Sequence, residues 1–186
     1  MSASFINLKS TVAACMTAVW FSLPAVAETS ALQPLYDQLR GATSSQAAQI
    51  EREIALERKR SGSVAMDLLL QRGFDALDRA ESLTAIEHFS AVIDHAPAIA
   101  EGWYGRARAF YEKGDLGQAL SDLSQALTLD PGNYEAIFGL AAIFEGLDQP
   151  HKALAAYRLA LEAHPNYEEA AEAVKRLEPQ VGGKSL

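Results

Sequence analysis

His88, His95, His151 and His164 are the imidazoles in this chain that could ligate a metal. Ligation from one helix needs side chains three or four apart, and a catalytic zinc site adds a glutamate, as in H-E-x-x-H. His88 and His95 are seven residues apart, two helical turns, and no such motif surrounds any of the four. Each reads as a surface or partly packed residue. Ser61-Gly62-Ser63 has the wrong order for the G-x-S-x-G elbow that exposes a nucleophile. Gly183-Lys184-Ser185 imitates the end of a phosphate-binding loop, but Glu178 stands where its first glycine must be. Glu168-Glu169 reads as a solvated helix face, not an acid–base pair. Arg58-Lys59-Arg60 could be a binding patch, although such a run at a helix end more often complements the helix dipole. The expectation is a non-enzyme with no catalytic residue, no cofactor and no metal.

Composition narrows the class of partner. The 186 residues carry 16 Lys+Arg against 24 Asp+Glu, a net charge of −8. Apolar residues make up 49% and charged residues 22%, as in a globular chain. An acidic balance argues against nucleic acid, whose phosphates need a Lys/Arg face. Cys15 is the one cysteine, so neither an intrachain disulfide nor a Cys-based zinc site can form.

Residues 1–27 have the layout of a secretory signal peptide. Lys9 precedes an apolar run containing Val12, Met16, Val19, Trp20, Phe21 and Leu23, and Pro24 then leads to Ala25-Val26-Ala27. Cleavage is expected after Ala27, and the run is too short for an ordinary membrane span. Val12-Ala13-Ala14-Cys15 resembles a lipoprotein cleavage box, but too little apolar chain precedes Cys15 and the apolar run continues past it. The mature chain of 159 residues keeps 15 basic and 24 acidic side chains, a net −9, and has no cysteine. A bacterial periplasm or the exterior is the expected location, with no stable membrane insertion after cleavage.

A period of 34 residues organises the second half of the chain and more. It relates Pro97, Pro131 and Pro165; Ala85, Ala119 and Ala153; and Gly73, Ala107 and Ala141. It also relates Phe89, Leu123 and Tyr157; Val92, Ala126 and Ala160; and Leu69, Trp103 and Ile137. A fixed period in this range marks a repeat array. Each unit reads as helix, turn, helix and proline. In the middle unit the spacing predicts helices over 100–113 and 116–129, with Gly114-Asp115 between them. Small residues (Ala107, Ala119, Ala126) let two helix axes approach, and Trp103, Phe110, Leu120, Leu123 and Leu127 fill the space between. One such pair cannot bury its apolar face alone, so stacking is required.

The segment 100–133 resembles a tetratricopeptide repeat at Trp103, Ala107, Phe110, Gly114, Ala119, Leu123, Ala126 and Pro131. Residues 134–167 are similar, and 66–99 departs most, with Arg72 and Ala76 where leucine and an aromatic are usual. Arg106 also replaces that leucine in the middle repeat. The resemblance implies an all-α right-handed solenoid of three repeats over 63–178. Residues 28–62 are expected to form an N-terminal helical hairpin, with Thr43–Gln46 as a capping box and its second helix running through Arg60. Residues 167–177 are expected to form a capping helix, and 179–186 a flexible tail.

By the same resemblance, the first helix of each repeat lines a concave groove that binds a protein or peptide segment. The groove-facing residues would be Asp67, Leu70, Phe74 and Leu77; then Glu101, Tyr104, Arg108 and Tyr111; then Glu135, Phe138, Ala142 and Glu145. The Lys/Asn set with which some relatives clamp a terminal carboxylate is absent. Packing within the repeats or against the hairpin is the competing reading for Phe74 and Tyr104. The expected function is an interaction module or scaffold. A self-associating envelope protein, with the groove filled by its own N-terminal helices, and an accessory subunit of an envelope enzyme stay open as alternatives.

Overall fold

The computed structural model describes residues 31–182, so the expected signal segment, Cys15 and residues 183–186 lie outside the described residues. Nine α-helices and no strand are present among the described residues. α1 (Leu32–Arg40) and α2 (Ser44–Arg58) form a hairpin. Three helix pairs come next: α3 (Val64–Asp78) with α4 (Ser82–His95), α5 (Ala100–Lys113) with α6 (Leu116–Leu129), and α7 (Tyr134–Gly146) with α8 (Pro150–Ala163). α9 (Glu168–Gly182) packs on α8 and closes the stack. The middle pair has the bounds that the sequence spacing predicts.

The small residues at the repeat positions are where the helices touch. Ala85, Ala119, Ala126, Ala141, Ala153 and Ala160 are all fully buried. Phe89 is the largest of the fully buried side chains and meets Phe74 edge-to-face at 5.0 Å. It fits because Gly73 and Gly105 face it from α3 and α5. A Cβ on them would lie 2.6 and 2.3 Å from its ring.

The turn inside each pair is the same turn three times. Gly114 has φ +86°, and the residues 34 positions before and after it, Ala80 and Asp148, have φ +57° and +54°. The repeat geometry demands a left-handed residue there, and only the middle repeat supplies glycine.

Arg106 has a structural reason for replacing leucine. Its Nε and Nη2 donate to the two carboxylate oxygens of Asp122 at 2.7 and 2.9 Å, and Nη1 donates to Ser90 Oγ at 3.1 Å. The guanidinium also lies over the rings of Trp103 and Phe110. One side chain thus ties α5 to α6 and α4.

Two expected boundaries shift. α2 stops at Arg58 instead of Arg60, with Lys59 as its C-cap. α9 continues through Pro179 to Gly182, where a tail is expected from residue 179. Pro179 removes one backbone donor on an exposed stretch, where water can satisfy the freed carbonyl. Val181 joins Leu177 on the apolar cluster of the third repeat, and Arg158 pairs with Glu178 at 2.8 Å. Those contacts hold the last turn.

Candidate functional site

Tyr104, Arg108 and Tyr111 come from α5, and Phe138 and Ala142 from α7. Spacings of three and four put each set on one helical face, and the repeat makes the two faces neighbours. They line one open cleft of about 370 Å³, with Leu123 and Ile143 at its base and Tyr167 on one wall. Phe138 packs between Tyr157 and Tyr167, each ring centroid 5.1 Å away. Tyr111 is 47% exposed. Arg108 is exposed, rests 6.0 Å from the Tyr104 ring centre, and has no carboxylate partner among the described residues. The arrangement offers aromatic surface, one cation and the carboxylates of Glu112 and Glu135, and no nucleophile paired with a base.

Leu70, Phe74 and Leu77, expected in the groove, are not in this cleft. All three are buried in the core shared by the first two repeats. Phe74 is held by Phe89 on one side and lies under Lys59 of the hairpin, 5.0 Å from its ring. Glu145 is also spent inside the fold. It pairs with Arg176 of α9 and accepts a hydrogen bond from Tyr157 at 3.0 Å. The Arg176 hydrogen bond is the main reason its carboxyl is held below its usual range.

The hairpin explains the remaining residues. Arg58 is not a solvated helix end: its side chain is only 5% exposed. Its guanidinium donates to Glu135, lies 3.6 Å from Glu101, and covers the Tyr104 ring at 5.5 Å. Tyr104 is consequently buried, and burial holds its phenol far above the usual range. Glu101 is buried with it, and desolvation raises its carboxyl despite the nearby Arg58 charge. Asp67 accepts hydrogen bonds from the Ser61 hydroxyl at 2.5 Å and the Ser61 amide at 2.8 Å, which lower its pKa.

Elsewhere the hairpin is anchored at the loops between repeats. Tyr36 donates to Asp130 at 2.7 Å and lies against Gly132, where a Cβ would stand 2.4 Å from its ring. Ser44 donates to Asn166, and Asn166 donates to the Ala42 carbonyl. His164 is buried, stacks on Tyr167, and meets Glu51 at 2.8 Å. That role is not legible locally, because Glu51 is 113 residues away. The other three histidines sit in no metal-ligating group, and none exists among the described residues. No described helix is long and apolar enough to cross a membrane.

Stacked helix pairs with an open cleft on their first helices define an α-solenoid repeat protein. Tetratricopeptide repeat models match residues 70–133 and 110–177, together more than half of the chain, and the chain belongs to that family. A TPR repeat-containing protein of Rhizobium etli is 29% identical over 153 residues, covering 82% of this chain and 75% of the relative. Among solved structures, the Arabidopsis OM64 TPR domain has a TM-score of 0.61 and 28% identity, covering 62% of this chain and 96% of that domain. The first TPR of Spaghetti (RPAP3), bound to the HSP90 peptide SRMEEVD, also has a TM-score of 0.61. It is 21% identical and covers 63% of this chain and 94% of its own, a likeness of fold.

Proposed function

We propose that this chain is a non-enzymatic interaction module or scaffold that holds a segment of a partner protein in the cleft between α5 and α7. One observation carries the reading: Arg108, Tyr111, Phe138 and Ala142 converge on one open cleft, whose cation has no carboxylate partner among the described residues. Tyrosine and arginine are the side chains that most often dominate interface energy. The peptide-bound RPAP3 domain supports the reading, since it shares the fold. The signal-like segment adds a location, a bacterial periplasm or the exterior, with a mature chain starting at Glu28. Intact mass of protein from the native envelope tests that part. Retention of residues 1–27, or a lipid on Cys15, would overturn it.

The cleft is tested at Arg108 and Tyr111, which are both exposed. Tyr104 is unsuited, because it lies beneath Arg58 and its loss would disturb the hairpin. Arg108→Ala with Tyr111→Ala should leave helical circular dichroism native and weaken capture of the envelope partner about thirtyfold, the equivalent of about 2 kcal/mol. A folded variant that keeps its partner would move the site elsewhere. Self-association alone, with no foreign partner, would favour the structural-protein reading. The hairpin gives that reading one point of support, since it covers the amino edge of the groove within the same chain.

A further inference from the structure

Asp67, Glu101 and Glu135 are spaced by 34 residues, so the repeat lines them up at the first turns of α3, α5 and α7. All three hold one short stretch of chain. Asp67 binds Ser61, Glu135 accepts from Arg58, and Glu101 lies 3.6 Å from the Arg58 Nε. Tyr104 is the floor under the guanidinium. Residues 58–61 therefore lie across three successive repeats as a bound peptide would.

Arg58 does not use this site fully. Its Nε and Nη1 have no hydrogen-bond acceptor and Glu101 Oε2 has no donor, yet the two side chains are only 5% and 4% exposed. Asp130 brings a second buried carboxylate close by, engaged by Tyr36. Buried polar atoms without partners are costly, so a better-placed guanidinium would be preferred. The hairpin's other anchors are hydrogen bonds (Tyr36–Asp130, Ser44–Asn166, Glu51–His164) and one small apolar cluster shared with Tyr134 of α7, and it joins α3 through Gly62 at φ +78°.

We propose that Asp67, Glu101, Glu135 and Tyr104 form a track for an arginine-bearing basic segment. In the free chain the hairpin fills it, and the partner's arginine displaces Arg58. This rests on the reading of the groove as a peptide site. Charge complementarity names the occupant: facing carboxylates suit the guanidinium fork, and a phenol ring suits its flat face.

The test uses the full mature chain and a fluorescent synthetic peptide copying residues 50–63, with a second peptide carrying Arg58→Ala. The unaltered chain should bind neither well. Arg58→Ala in the chain should bind the arginine peptide at least tenfold more tightly than the unaltered chain does, and should discriminate against the alanine peptide. If that variant does not fold, Asn166→Ala serves instead, because it loosens the far end of the hairpin and leaves the track intact. Adding Glu135→Gln to Asn166→Ala should abolish the gain. The proposal is overturned if neither variant gains affinity, if both peptides bind alike, or if Glu135→Gln changes nothing. A hairpin-exchanged dimer of the unaltered chain, seen by light scattering, would also overturn it by making a second copy the occupant. The probe is this chain's own segment, whereas the cleft is tested with the envelope partner, so a failure of the track is told apart from a failure of the cleft.

Discussion

Arg106 departs from the repeat pattern, whereas Glu101 keeps to it. Arg106 replaces a leucine, and its planar fork fits the carboxylate of Asp122 while its face covers two rings. Arg106→Leu would restore the usual residue but strand Asp122, which is 6% exposed. We expect a loss of about 3 kcal/mol in urea unfolding. Arg106→Leu with Asp122→Leu should recover most of that loss, because both charges are gone. Equal losses in the single and double variants would show that the pair is not coupled. Glu101 works the other way. Its carboxyl and that of Asp130 are raised above their ordinary 4.5 and 3.8, chiefly by burial. A raised acid binds its proton more tightly in the folded state. Its contribution is therefore complete below the ordinary value and is lost as pH rises through the folded one. Glu101→Gln should flatten the decline in stability above about pH 4.5, with Asp130 leaving a residual slope. Urea midpoints measured at stepped pH would read this, and an unchanged slope would count against a raised Glu101.

At the scale of the helix pair, one repeated geometry makes two predictions of opposite sign. Ala119 is fully buried in the shared core of the first two repeats. Ala119→Leu must push apart a close-packed region, at a cost of about 1–3 kcal/mol. An unchanged melting temperature would contradict that packing. The inner turn works in the other direction. Ala80 holds φ +57° where Gly114 holds +86°, and a Cβ in the left-handed region costs roughly 1–2 kcal/mol. Ala80→Gly should stabilise the chain by about 0.5–1 kcal/mol, once the extra freedom of unfolded glycine is subtracted. A destabilised variant would mean that the Ala80 side chain makes a contact worth more than the strain.

The whole molecule is a solenoid with a hairpin clasp. Contacts in a repeat array run between neighbours, so regions can open independently. α1 and α2 share one small apolar cluster with the stack, built from Tyr36, Leu39, Ala47, Ile54 and Tyr134, and dock further through hydrogen bonds and Arg58. The stack from α3 to α8 is packed in two larger apolar clusters that both draw side chains from α7. Native-state hydrogen exchange should therefore show α1 and α2 opening together at a lower free energy than α5 and α6. Equal protection throughout would make the hairpin an integral part of the stack and would weaken the displaceable-track proposal.

The repeat is legible in the residues alone, because a helix pair that must stack on copies of itself writes its contacts at one period. The prolines, the alanines at the crossings and the Gly114 turn can all be read for that reason. The candidate cleft residues Tyr104, Arg108, Tyr111, Phe138 and Ala142 are expected from the family resemblance, and the fold brings them to one cleft. It takes the folded chain to show that Leu70, Phe74 and Leu77 are buried and that Arg58 is a groove occupant. The acids at 67, 101 and 135 could be read as favourable charges at helix starts, which they also are. Glu101 and Glu135 meet Arg58, which comes from a hairpin outside the 34-residue period, and no local spacing in either segment encodes how one docks on the other. That docking depends on shape and charge matched across a sequence separation of 77 from Arg58 to Glu135, which meet only when the hairpin folds back over the stack.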